Sequence, residues 1–208
     1  YRLTPENPHP AQIDDGLAAY KYLLAQGHEP SKIVVCGDSA GGHLTLISLL
    51  KFRDEKLPQP ALAIGLSPWT DIGRRGESQF GNDVYDLVQG YQTLQFGAWL
   101  KGVTGFTDTE LSPIYEDYRG LAPIYLQAGG KEILVDMIRD FAKTLEQQGS
   151  KIRLDVWKHM THEFHGYGMH LQESREALQE IQAAILWAVQ TAQQRRLSPN
   201  AQTEVSNL

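Results

Sequence analysis

Gly37-Asp38-Ser39-Ala40-Gly41 follows the apolar run Ile33-Val34-Val35-Cys36 and precedes an apolar, helix-like segment from His43 to Leu50. Strand, sharp turn and helix in that order lift a serine hydroxyl above a sheet, beside the positive end of the new helix. So tight a turn strains the serine backbone and needs small neighbours, so that strand and helix can approach closely. The pattern alone also occurs by chance as an ordinary turn, so the rest of the chain has to supply partners. A serine hydroxyl is a weak nucleophile; it needs a base, and the base needs a third group to hold its tautomer. The run Lys158-His159-Met160-Thr161-His162-Glu163-Phe164-His165 offers three histidines, and Glu132 and Asp136 offer carboxylates upstream of it. Nucleophile, acid and histidine then follow one another along the chain in one of the orders that nucleophilic catalysis uses.

The elements around these residues have to bring them to one edge of a sheet. Tyr1-Arg2-Leu3 reads as the end of a strand, and three prolines stiffen the loop to Pro10. Ile13, Leu17, Tyr20 and Leu24 are at helical spacing and Gly27 stops that helix. Lys32 to Cys36 is a strand, and the helix after the turn runs to about Arg53. Ala61 to Leu66 and Ile124 to Ala128 are short, non-alternating apolar runs, as expected of strands covered on both faces. Between them, Gly73 to Gly81 reads as a loop, while Val84, Leu87, Val88, Tyr91 and Leu94 make a helical stripe in a segment reaching Leu100. That block contains no strand and reads as a cap insertion, residues 73–112, lying over one end of the sheet.

Ile133 to Gln148 reads as a helix, Ile152 to Trp157 as an edge strand, and Glu173 to about Gln190 as a long amphipathic helix. Residues 191–208 form a polar tail whose composition predicts disorder. The order is that of an α/β fold with a doubly wound, mostly parallel sheet, spanning residues 1–190. Ligands of such sheets sit beyond the carboxyl ends of the strands. Ser39, Trp69, Asp71, the 129–132 region and the segment after Trp157 all fall there.

The chain has 208 residues, 41% hydrophobic, enough to bury one core. A formal net charge of −6 argues against a nucleic-acid partner. No apolar run nears the ~20 residues that span a bilayer, and no secretory signal is visible. Cys36 is the single cysteine, which suits the cytoplasm, and its place in an apolar strand predicts a core residue. His159, His162 and His165 are spaced by threes, whereas the helical zinc pattern needs histidines four apart. Neither a metal nor another cofactor is expected, and His43 is expected to face outward without a task.

Taken together, these blocks resemble the hormone-sensitive-lipase-like family of α/β-hydrolases, bacterial carboxylesterases. The resemblance runs from Tyr1 to about Ala188. It is carried by Tyr1-Arg2-Leu3-Thr4-Pro5-Glu6, Asp15, Gly37-Asp38-Ser39-Ala40-Gly41-Gly42, Leu66-Ser67-Pro68 with Asp71, Glu132-Ile133-Leu134-Val135-Asp136 and Met160-Thr161-His162-Glu163-Phe164. Singly these are weak; in this order they are specific.

What the resemblance implies is a catalytic triad of Ser39, Glu132 and His162, with the Ala40 amide as an oxyanion donor. Aspartate is commoner at the acid position, so Asp136 stays as an alternative. Position favours Glu132, just past the strand end. The family's second oxyanion element is a His-Gly-Gly-Gly loop upstream of the Tyr-Arg-Leu block, and this sequence contains none. A further N-terminal portion, or another chain, is therefore expected to supply it and to cover a sheet edge beside Tyr1. The implied substrate is a small-molecule ester of small to medium acyl length. From the residues themselves, the cap segment Asp83 to Leu100 with Trp69 and Trp99 is expected to supply an apolar acyl or alcohol pocket, Trp69 being the substrate-binding candidate, and a homodimer is admitted. Amides and formamides fit the same machinery, and a non-catalytic ligand-binding protein is the rival reading.

Overall fold

The computed structural model describes residues 1–197. The helical repeat of Ile13, Leu17 and Tyr20 winds α1, Ala11–Ala25, and buries all three side chains. Gly27, at φ +84°, turns the chain away. After one turn of 3-10 helix at Pro30–Lys32, β1 runs Val34–Asp38 and passes directly into α2, Ser39–Asp54. β2 is Leu62–Leu66. The cap insertion follows, with α3 at Ser78–Gly81, α4 at Gly90–Lys101 and α5 at Asp108–Leu111. Then come β3, Ile124–Gly129, α6, Val135–Gln147, β4, Ile152–Trp157, and α7, Gln172–Leu197.

The four strands are parallel in the order β1-β2-β3-β4, with Gly37 opposite Gly65 and Gly129 opposite Trp157. Right-handed crossovers that always step the same way leave their helices on one face. There Leu46 and Leu49 of α2, and Met137, Ile138 and Phe141 of α6, form the main core. α7 covers the other face, where Ala184 and Ala188 pack on Leu62, Ile64 and Tyr125. Both faces of β2 and β3 are thus buried, which accounts for their unbroken apolar runs.

Four expectations need correction. Tyr1–Leu3 is not a strand: the Arg2 N–H, which a ladder would need, donates to Asp15 at 2.7 Å, and the guanidinium pairs with the same carboxylate. Cys36 is exposed, because β1 is the outer strand of the sheet and its second edge is unpaired among the described residues. The stripe from Val84 to Leu94 is not one helix, since Val84 and Leu87 are 81% and 79% exposed in a stretch of turns. Asp83 accepts the Gly90 N–H at 2.7 Å and Gln89 forms a capping box with Gln92, so the helix starts only at Gly90. His43 is buried, its Nε2 at 2.7 Å from the Leu111 carbonyl. α7 continues to Leu197, and residues 198–208 of the expected tail lie outside the described residues.

Candidate active site

The turn from β1 into α2 gives Ser39 a left-handed backbone, φ 48°. That conformation costs a residue with a Cβ on the order of 1 kcal/mol or more, and packing around the turn maintains it. A Cβ on Gly37 would overlap the Gly41 carbonyl, and one on Gly42 would meet the Pro68 Cβ at 2.7 Å. At Gly41 a Cβ would find only Asp38 Oδ1 at 3.7 Å and the Tyr1 hydroxyl at 4.0 Å. Close approach of helix and strand therefore depends on Gly37 and Gly42, and not on the second glycine of the five-residue pattern. Gly42→Ala is expected to destabilise the intact protein by about 1–3 kcal/mol, and Gly41→Ala by less; thermal unfolding of the two variants checks the order.

The loop after β4 delivers His162 to Ser39, with Nε2 at 2.9 Å from Oγ. The loop after β3 delivers Glu132, fully buried, whose Oε1 faces His162 Nδ1 at 3.8 Å. Its other oxygen, Oε2, accepts the Gly129 N–H at 2.7 Å and the Ser67 hydroxyl at 2.8 Å. Ser67, at φ 47° on the end of β2, also accepts the Glu163 N–H at 3.2 Å. One hydroxyl thus links the acid to the histidine loop. Glu132 Oε1 and His162 Nδ1 are buried and have no hydrogen bond, and 3.8 Å is too long for one. Each is the other's facing polar atom, so closure of that gap is favoured; catalytic hydrogen bonds commonly tighten only in the reacting complex.

The electrostatics follow from burial. Burial pushes the Glu132 carboxyl up from its ordinary range, while His162, Gly129 and Ser67 pull it back. Burial disfavours the His162 imidazolium, but the Glu132, Glu163 and Asp86 carboxylates outweigh it and raise the pKa above the ordinary 6.5. Glu163, at φ 53°, brings Oε1 to 3.6 Å from His162 Nε2. Its own pKa is raised, by burial first and by the neighbouring Asp38 against the pull of His162. Neither Ser67 nor Glu163 is marked by its residue type; only their places in the motif blocks give a signal.

The other candidates separate. Asp136 lies in the first turn of α6, where Oδ2 accepts the Ser78 N–H at 2.9 Å, and it does not reach His162. His159 is exposed, and His165 turns its Nε2 to Gln127 Oε1 at 2.7 Å, so the three histidines diverge. Burial lowers both His165 and His43 to about 4, leaving them neutral. Ala40 is the second residue of α2, where backbone N–H groups have no intrahelical carbonyl. Trp69 donates its backbone N–H to the Ser39 carbonyl at 3.1 Å. Its side chain is only 5% exposed and walls a cavity of about 250 Å³ with Leu3, Ala40, His43, Phe96 and Trp99.

A parallel sheet with a serine on a strained strand-to-helix turn, an acid after the next-to-last strand and a histidine after the last defines an α/β-hydrolase. The chain belongs to the alpha/beta hydrolase fold family, whose model matches residues 1–166. It is 35% identical over 189 residues to an acetyl-hydrolase of Streptomyces hygroscopicus, an alignment covering 89% of this chain and 62% of that protein. It is 32% identical over 183 residues to an esterase of Acinetobacter venetianus, covering 87% and 60%. Among solved structures, an esterase from the bacterial hormone-sensitive lipase family superposes with a TM-score of 0.82 at 35% identity, covering 93% of this chain and 63% of that one. A hormone-sensitive-lipase homologue from a metagenome library gives 0.86 at 32% identity, covering 91% and 66%. The chain spans less than two thirds of the length of these curated relatives.

Proposed function

We propose that the protein hydrolyses carboxylic esters of small to medium acyl chains through an acyl-enzyme on Ser39. The observation that carries this reading is the 2.9 Å contact of Ser39 Oγ with His162 Nε2, on a histidine whose Nδ1 faces a buried carboxylate. In the reaction His162 takes the Ser39 proton as Oγ attacks the ester carbonyl, and Glu132 favours the imidazolium that results. The Ala40 amide, at the positive end of α2, donates to the developing oxyanion. His162 returns its proton to the leaving alcohol, and water then cleaves the acyl-enzyme with His162 again as base. The apolar cavity beside Ala40, walled by Trp69, Phe96 and Trp99, is where an acyl chain of this length would lie. The substrate is a small dissolved ester; no described helix is long and apolar enough to cross a membrane. A cytoplasmic setting suits a chain whose single cysteine excludes an internal disulfide.

The second reading, a non-catalytic ligand-binding protein, is favoured by one observation, the open gap between Glu132 and His162. Mixing the intact protein with p-nitrophenyl acetate distinguishes the two. The enzyme releases p-nitrophenol with multiple turnovers that Ser39→Ala abolishes, and mass spectrometry after rapid acid quenching places any trapped acetyl group on the peptide carrying Ser39. Binding with no release of p-nitrophenol above that of the Ser39→Ala variant would support the second reading.

His162 must be neutral to act as base, and its pKa lies above the ordinary 6.5. The rate constant kcat/KM is therefore expected to fall as pH drops through a midpoint above 6.5, a loss on the acid side. A pH profile with its acid limb centred below that value would contradict the site's electrostatics.

A further inference from the structure

The cap segment ahead of α4 is bonded to the loop that carries Glu132. Ser78 Oγ donates to the Ile133 carbonyl at 2.9 Å, and Asn82 Nδ2 donates to the Glu132 carbonyl at 3.0 Å. Each of these contacts holds one loop. Asp86 reaches two: its Oδ2 accepts the Ile133 N–H at 2.7 Å, and its Oδ1 accepts the His162 N–H at 3.0 Å. Oδ1 also takes the Leu87 N–H at 2.9 Å, which fixes the carboxylate. The two longer-range donors follow different strands, β3 and β4, and one is the residue next to the acid while the other is the histidine itself. Partly buried backbone N–H groups need acceptors, and an ionised acceptor makes the stronger bond.

We propose that Asp86 is a positioning residue that fastens the acid loop to the histidine loop, so that the seating of the cap sets the geometry among Ser39, His162 and Glu132. This rests on the reading of Ser39 as nucleophile. Asp86 touches neither substrate nor reacting atoms; it acts through the backbone of His162 and Ile133. Without it the loops keep the Ser67 bridge and the Lys131 N–H bond to the Met160 carbonyl at 2.9 Å. Ile133 and the His162 backbone, however, lose their shared acceptor, and the 3.8 Å gap that has to close widens instead.

Asp86 also acts by its charge. The groups facing His162 are Glu132 from the loop after β3, Glu163 from its own loop with Asp38 of β1 beyond, His165, and Asp86 from the cap. Asp86 is one of the anions favouring the imidazolium, so its removal makes His162 easier to deprotonate. The acid limb of kcat/KM then moves to lower pH.

The test measures kcat, KM and the pH profile of the intact protein on p-nitrophenyl acetate for Asp86→Ala, Asp86→Asn and Asp83→Ala. Asp83 caps α4 from the same segment, so its loss loosens the cap without cutting either bond of Asp86. Asp86→Ala is expected to lower kcat by about 10- to 100-fold with KM changed by less than about threefold, and to shift the acid limb downward. Asp86→Asn keeps the shape and one acceptor, so it recovers part of kcat while its acid limb stays shifted. It also carries the test should the alanine variant fail to fold. Equal losses in the Asp83 and Asp86 variants, or lost kcat with an unmoved acid limb, would reduce Asp86 to a generic cap contact and overturn the proposal, as would unchanged kcat. Turnover persisting in Ser39→Ala sinks the nucleophile reading instead, whatever the Asp86 variants do.

Discussion

Ser39→Ala is expected to lower kcat for p-nitrophenyl esters by about 10⁴–10⁶-fold while leaving the fold intact. Among the described residues the hydroxyl has one hydrogen bond, to His162, and the strained backbone of the turn is held by Gly37, Gly42 and Pro68 around it. His162→Ala is expected to cost about as much, because a serine without its base is an ordinary alcohol. The double variant should be no slower than either single one, since the two side chains act as a unit and their effects do not add. Losses that multiply in the double variant would mean that the two residues work independently, and the 2.9 Å contact would then not be the catalytic one. Residual activity in all three variants is expected to come from binding and from the Ala40 amide proposed as oxyanion donor.

The parts of this site that are legible in the sequence are those whose signal is local. Ser39 is announced by five residues and by the strand and helix on either side, because the turn itself demands glycine at Gly37 and strain at the serine. Distance from the strand end alone favours Glu132 over Asp136, and of the two it is Glu132 whose carboxylate faces His162. Asp136 sits a helical turn on, where its carboxylate meets the Ser78 N–H. What is not legible depends on contacts that no local pattern encodes. The burial of His43 comes from a carbonyl 68 residues away, at Leu111. The stripe from Val84 to Leu94 has helical period, yet Asp83 and Gln89 cap the chain at Gly90 and leave Val84 and Leu87 in solvent. Asp86, in that same stretch, carries no signal of type or spacing, since its partners are two backbone amides in distant loops. Cys36 reads as core because its strand is apolar, but an outer strand has one uncovered edge.

Glu132→Gln is the variant that separates charge from shape. The substituted side chain is nearly isosteric, and its carbonyl oxygen keeps the bonds from the Gly129 N–H and the Ser67 hydroxyl that Oε2 now accepts. Its amide then points at His162 Nδ1 and donates to it. That fixes the tautomer with the proton on Nε2, the atom that has to receive the Ser39 proton, and it removes the anion that favours the imidazolium. The fold should survive and kcat should fall by about 10³–10⁴-fold. Asp136→Asn keeps an acceptor for the Ser78 N–H and should cost at most about 1 kcal/mol of stability, with activity close to that of the parent. The reverse outcome, a dead Asp136→Asn beside an active Glu132→Gln, would place the orienting carboxylate on α6 and require the loop after β3 to rearrange before catalysis. Unfolding curves recorded on the same samples ensure that any loss compared is a loss of chemistry.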